Sequence, residues 1–403
     1  AGDAKLEEFF FDIIKYVGHK GPRGVVGIGI VFPYLTWTNG MGNGPYTIPQ
    51  RIQKFHRQFV RVASKMRLPI LVQFNGGPWH TASSKSAFLN YWKTVGGGKY
   101  LSRYKDGRVN DSLLKTGTIN KKRLQPYLNI SPYHTDQAKD SLFLTLSPYA
   151  SKYRQARLDV LHQAVLFWKR LDSEYPGVIT DFTTDSEVAS FSHRFDKNGN
   201  EISIGYEEFV SKPFCKKFNI QNCNSFIKQD FKYDTEEQIN WFKFRADMHR
   251  KYIADTVAII RKSFPQRPIW THQIPVLDEI KRGGFRNRDF ASPQSTAFVP
   301  GAFPGFTLYI YGKRDKKFKK LVKQISAKTK GNQWGMLEFN PGKSWLGSKE
   351  DLREYTFNIL TFAYNHGVRV VAPLSWTDNQ LDKGIRNSGV DEGIKQFIMQ
   401  DLD

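Results

Sequence analysis

Short apolar runs alternate with longer amphipathic stretches along almost the whole chain. The runs Val25–Val31, Ile70–Phe74, Leu142–Ser147, Val178–Thr184, Pro268–Gln273, Phe306–Tyr311, Trp334–Phe339 and Arg369–Leu374 are rich in Val, Ile, Leu, Phe or Tyr. Most are bounded by Gly, Pro or Asn, and each has the length of a strand. Between them the period changes. Ile48–Met66 puts Ile52, Phe55, Phe59 and Val62 on one helical face, and Ser151–Glu174 does the same with Leu158, Leu161, Val165 and Trp168. Thr235–Ser263 opens on a Thr-Glu-Glu cap. Lys316–Thr329, Lys349–Asn365, the weaker Ser84–Lys93 and the short Asp391–Met399 complete the helical patterns, and none follows Pro268–Gln273.

Eight strands, seven of them followed by a helix, predict an α/β fold: a single (β/α)8 TIM barrel spanning 1–403. An open doubly wound sheet is the competing architecture. It lacks its usual mark, since no Gly-x-Gly-x-x-Gly follows a strand and Gly27-Ile-Gly29 lies inside one. Long insertions are expected after strands two and four, at Pro78–Asp140 and Ser190–Tyr233. Both leave a strand's C-terminal end, the face on which barrel active sites are built.

Composition narrows the partner. Sixty Lys+Arg against 38 Asp+Glu give a net charge of +22, which attracts polyanions. The basic residues are spread along the chain, and no zinc-finger, RRM or helix-turn-helix pattern marks a nucleic-acid reader. No apolar stretch approaches the roughly 20 residues of a membrane span. Aromatic residues reach 14%, suited to stacking on flat sugar rings. An anionic polysaccharide or oligosaccharide fits both features. Sulfated galactans such as carrageenans, or sulfated fucans, fit slightly better than uronate polymers. Oligomeric state is left open, and no cofactor is expected. Cys215 and Cys223 are the only cysteines. They have no zinc-ligand spacing and are expected to close a small disulfide loop, which implies an oxidising compartment. The opening Ala-Gly-Asp reads as a mature, processed or recombinant form, and the expected disulfide makes a secreted or periplasmic location the expectation. Asp196-Lys-Asn198-Gly-Asn200 carries calcium-type donors, but its Gly is misplaced for an EF-hand and the segment reads as a hairpin.

Strand ends supply the candidate chemistry. Glu187 follows strand four and Glu338 ends strand seven, across the barrel mouth from each other. Paired carboxylates among aromatics suit glycosidic cleavage: one protonates the leaving oxygen, and the other attacks the anomeric carbon or activates water. Asp185 is the alternative acid, or a charge that tunes Glu187. His272 is a candidate hydrogen-bond donor. Trp37, Asn75, Trp79, His80 and Trp376 at strand ends, with Arg194 and Arg282 from the loops, are candidate substrate contacts.

Carboxylates after strands four and seven resemble the layout of the clan A retaining glycoside hydrolases. The resemblance implies Glu187 as acid/base and Glu338 as nucleophile. It further implies Tyr309 or Tyr311 as the residue that holds the nucleophile, and Trp376 as the floor of the subsite for the cleaved sugar. Ser186 stands where the clan usually has Asn, and no Arg near the nucleophile matches the clan's. A non-catalytic glycan-binding barrel and a nucleic-acid-binding protein are the alternative functions.

Overall fold

The computed structural model describes residues 2–42, 44–76, 86–103, 146–185, 205–229, 235–273, 297–308, 315–339, 348–373, 376 and 384–401. The first element, helix α1 (Asp3–Val17), is absent from the sequence reading. It buries Phe10, Ile13 and Val17 and stops at Gly18, whose φ of 89° is open to glycine. Seven parallel strands follow: β1 (Ile28–Phe32), β2 (Ile70–Phe74), β3 (Ile179–Thr183), β4 (Ile269–Trp270), β5 (Gly305–Thr307), β6 (Trp334–Glu338) and β7 (Val368–Val371). The helices are α2 (Gln50–Lys65), α3 (Ala87–Gly98), α4 (Ser151–Glu174), α5 (Glu208–Lys217), α6 (Cys223–Lys228), α7 (Glu236–Ser263), α8 (Asp315–Thr329), α9 (Lys349–Tyr364) and α10 (Val390–Met399).

The strands pair in chain order. Ile28 lies opposite Ile70 and Phe32 opposite Phe74; β3 pairs with β2 and β4 with β3. Four backbone bonds carry the ladder onward from β4 to β5: Thr271 N–H to Phe303 O, Phe303 N–H to Ile269 O, Gln273 N–H to Gly305 O and Thr307 N–H to Gln273 O. The β5–β6–β7 ladder completes the series. Parallel strands covered on both faces read as unbroken apolar runs, and all five residues of β2, Ile-Leu-Val-Gln-Phe, are buried. Helix α1 packs on both α2 and α10, and α10 packs on α9, so the outer layer passes from the last helix back to the first. No pairing of β7 with β1 is present among the described residues.

One expected strand is not part of this series. Of Leu142–Ser147, residues 142–145 lie outside the described residues, and Leu146 forms an antiparallel bridge with Leu101. β2 pairs directly with β3, so nothing intervenes. An apolar run of strand length does not reveal which strand it will pair with. Glu187 therefore follows the third strand of the series, and Glu338 ends the sixth. The interval of three strands between them is unchanged. Cys215 and Cys223 are joined by a disulfide between α5 and α6, with their Cα atoms 5.7 Å apart.

Two imidazoles are sealed between the sheet and its helices. His56 of α2 meets the rings of Phe32, Trp37 and Trp168 and bonds the Ile52 carbonyl at 2.8 Å. His249 of α7 links Tyr149 (3.0 Å) to the Gln273 side chain (3.1 Å). Burial lowers each ring's pKa to about 4. Below an unfolded value near 6.5 the unfolded chain takes up protons that the native rings refuse. Stability is therefore expected to fall as pH drops from about 6.5 towards 4, each ring contributing up to ~1.4 kcal/mol per pH unit. Urea unfolding across this range measures the slope, and His249→Gln should remove one ring's share.

Candidate active site

The parallel strands bring their C-terminal ends to one face. There, beyond β3, the chain places Asp185, which is 1% exposed. Its Oδ1 accepts from the Tyr34 hydroxyl (2.8 Å) and the Gly76 N–H (2.9 Å). Its Oδ2 accepts from Arg157 Nη2 (2.6 Å) and from the Tyr252 hydroxyl. Arg157 also donates to the Gly76 carbonyl (2.7 Å), and its guanidinium lies 4.9 Å from the centre of the Tyr252 ring. Burial pushes the Tyr34 and Tyr252 hydroxyls up, so both stay protonated and donate. The cluster gathers the ends of β1, β2 and β3 with helices α4 and α7. Gly76 has to be glycine: a Cβ there would stand 2.7 Å from both Arg157 Nη2 and the Tyr34 hydroxyl.

This environment corrects the reading of Asp185 as a possible general acid. Both of its oxygens are engaged, by the Tyr34 and Tyr252 hydroxyls, the Gly76 N–H and Arg157 Nη2, and the side chain is sealed from solvent. A substrate oxygen has no access to it, and Asp185 belongs to the scaffold under the mouth.

Glu338 has a different setting. Its side chain, 12% exposed, ends β6 beside its register partner Thr307. The Glu338 backbone carbonyl accepts from Leu308 N–H at 2.8 Å, which fixes the main chain at this point. His272, just beyond β4, approaches from the far side of β5. Its Nε2 is 2.9 Å from Thr307 Oγ1 and 3.8 Å from Glu338 Oε2. Burial lowers the His272 pKa to about 3, so the ring is neutral at ordinary pH. The structure thus brings Glu338, His272 and Thr307 together at three adjacent strand ends.

The remaining candidates separate. Asn75 is half-buried at the end of β2, where its backbone N–H donates to Phe32 O at 3.0 Å. Trp37 packs edge-on against Phe32, with ring centres 5.3 Å apart, and lies as close to His56. Trp376 corrects the expectation of a subsite floor. It is 9% exposed, its indole N–H donates to Asp12 of α1 at 2.9 Å, and its ring meets Tyr16 edge-on. Trp376 serves packing between sheet and helix, whereas Trp37 is only half-buried. Glu187, Trp79, His80, Arg194, Arg282, Tyr309 and Tyr311 lie outside the described residues.

Sequence reasoning missed Arg157, Tyr252 and Thr307. For Arg157 a signal existed, because Tyr153, Ala156, Arg157, Val160 and Leu161 form the buried stripe of α4. An arginine inside an apolar stripe requires a buried anion. The two insertions also meet. Arg103 N–H donates to Glu207 Oε1 at 3.0 Å, and the Arg103 carbonyl accepts from Gly205 and Tyr206 N–H. Burial lifts the Glu207 carboxyl to about 7.

No family model matches the chain, and no curated protein matches it in sequence. Its fold is similar to that of solved structures. One is the catalytic domain of a β-amylase from Paenibacillus polymyxa, with a TM-score of 0.57 and 11% identity over 98% of this chain and 94% of that one. Another is a cold-adapted β-galactosidase from Rahnella sp. R3, with a TM-score of 0.55 and 9% identity over 98% of this chain and 52% of that one. The chain spans about half that galactosidase's length. Both neighbours share the fold of this chain, and the expected α/β barrel architecture is borne out.

Arg157→Met is expected to cost about 3–5 kcal/mol of folding stability, because it breaks a buried ion pair by removing one partner. Thermal or urea unfolding reads this directly. A loss below 1 kcal/mol would remove the cluster from the scaffold.

Proposed function

We propose that this chain is a glycoside hydrolase that cleaves an anionic, sulfated polysaccharide with Glu187 and Glu338 as its two carboxylates. The observation that carries the reading is Glu338: a partly open carboxylate at a strand's C-terminal end, beside a neutral histidine, three strands on from the strand that leads to Glu187. The barrels it resembles bear the names of glycosidases, a β-amylase and a β-galactosidase.

In this mechanism Glu338 attacks the anomeric carbon while Glu187 protonates the departing glycosidic oxygen. Glu187 then takes a proton from water, which displaces the sugar from Glu338. Arg157 neutralises Asp185, so the residue two positions before Glu187 adds little uncompensated negative field to the acid. The net charge of +22 supports an anionic polymer as substrate. Part of that charge is concentrated: Lys316, Lys319, Lys320 and Lys323 of α8 line one surface groove. The disulfide in the second insertion is in keeping with secretion.

Glu338→Gln and Glu187→Gln should each lower kcat by at least ~10²–10⁴-fold without lowering the unfolding temperature. Reducing-end release from a panel of sulfated, carboxylated and neutral polysaccharides provides the assay. NMR of the first product should show a retained anomeric configuration. Polymer binding without turnover by the wild type would make the barrel a glycan-binding module instead.

Exposed attraction between charges is screened within about 8–10 Å near physiological salt. KM for a sulfated polymer is therefore expected to rise with salt while kcat changes less, and the desulfated polymer should bind poorly. A KM independent of salt, together with preference for a neutral glycan, would overturn the anionic assignment.

A further inference from the structure

Helix α8 has two faces of opposite character. Phe318, Leu321, Val322 and Ile325 are buried in the core. At 3.6 residues per turn the other side carries Lys316, Lys319, Lys320 and Lys323. Lys316, Lys320 and Lys323 are exposed. Lys319 is half-buried, with its ammonium 5.7 Å from the centre of the Phe362 ring of α9. Together with Gln324 and Ala327 the four lysines line a groove of about 570 Å³. We propose that this groove is a second, non-catalytic binding site for the anionic polysaccharide, outside the barrel mouth. The proposal rests on the substrate being an anionic polymer.

The sequence of α8 works against the helix. It sets six lysines against one aspartate, a surplus of five positive charges. Lys316 and Lys320, and Lys319 and Lys323, are four residues apart, so side chains of like charge are neighbours, and such pairs weaken a helix. Lys316 also stands in the first turn, at the positive end of the helix dipole, where a cation is disfavoured. A bound polyanion turns this repulsion into attraction. Sequence that opposes its own local structure is expected where function requires it.

The chemistry of the face selects among polyanions. The apolar side of α8 is buried in the core, so the helix cannot lay that side into a bilayer. Among the described residues that line the groove none is aromatic, so single-stranded bases have no ring to stack on. Lysine ammoniums are compact charges with three rotatable donors, suited to sulfate or carboxylate groups whose orientation varies along a polymer. Placement favours the same occupant. Helix α8 leaves the C-terminal end of β5 and returns the chain to the start of β6, so Lys316 lies at its mouth-side end. From there the four charges extend about 10 Å along the helix axis. A polymer that leaves the mouth over the rim between β5 and β6 meets this groove.

Dextran sulfate and uncharged dextran are suitable probes, with affinity read by calorimetry across a salt series. Changing Lys316, Lys319, Lys320 and Lys323 together to Gln should weaken dextran sulfate binding by about 10–100-fold at low salt and flatten its salt dependence, because fewer counterions are released. The control changes four exposed lysines on other helices, Lys54, Lys152, Lys169 and Lys262, to Gln and removes the same charge. It should weaken binding by less than about threefold, since distant charges are screened. Lys316→Gln with Lys323→Gln, a milder change, should weaken binding by about tenfold. Without polymer the unfolding temperature of the α8 variant should not fall, because like-charge pairs have been removed.

Equal weakening by the α8 set and the control set would mean that overall charge alone acts, and would overturn the proposal. So would a DNA duplex or an anionic lipid vesicle that binds more tightly than dextran sulfate and is lost with the α8 lysines, because the groove would then belong to another partner. Should the wild type bind dextran sulfate no better than dextran, the anionic reading of the substrate fails and takes this proposal with it. Should the wild type prefer the sulfated chain while the α8 variant binds it as tightly as the control variant does, the proposal alone fails.

Discussion

The mouth of this barrel depends on one buried ion pair. Asp185 and Arg157 sit at 2.6 Å with almost no solvent access, and the carboxylate also gathers Tyr34, Tyr252 and the Gly76 N–H. Removing two charges from water is costly unless every remaining lone pair and proton finds a partner. Here the partners come from three consecutive strand ends and two helices, so satisfying the charges and assembling that face are the same event. Asp185 stands two residues beyond the end of β3, so the pair also fixes the chain where it leaves that strand.

Across the face the chemistry is arranged differently. Around Asp185 the polar groups are saturated and closed, whereas Glu338 remains partly open and has a neutral ring beside it. A saturated carboxylate is structural and an accessible one can react, even though both stand at strand ends of the same sheet. The contrast supports the role proposed for Glu338, which residue type alone leaves equal to that of Asp185.

Much of this was legible along the chain. The runs at Ile70–Phe74, Val178–Thr184 and Trp334–Phe339 correspond closely to β2, β3 and β6, because parallel strands buried on both faces carry continuous apolar residues. The position of Glu338 at a strand's C-terminal end was legible because a strand's end can be located from its run. Leu142–Ser147 misled because pairing partners are chosen in three dimensions. Helix α1 was missed because Phe9 and Phe11 are exposed beside buried Phe10, which blurs the helical period. Trp376 had the right residue type and place for stacking on sugar, yet the decisive facts were its neighbours Asp12 and Tyr16, both remote from it in sequence. Arg157 lies 28 residues before the carboxylate it serves, and only the curl of α4 against β3 brings them together.

The contact between Arg103 and Glu207 has a consequence for how such a barrel could be diversified. The insertion after β2 supplies the N–H, and the insertion after β3 supplies the buried carboxyl. Neither wall of the mouth is a self-contained module. A loop transplanted from another barrel into only one of the two positions would confront a partner shaped for something else, with Glu207 enclosed and its backbone donor gone. Recombination of this scaffold therefore has to treat the two insertions as one cassette, exchanged together or left alone.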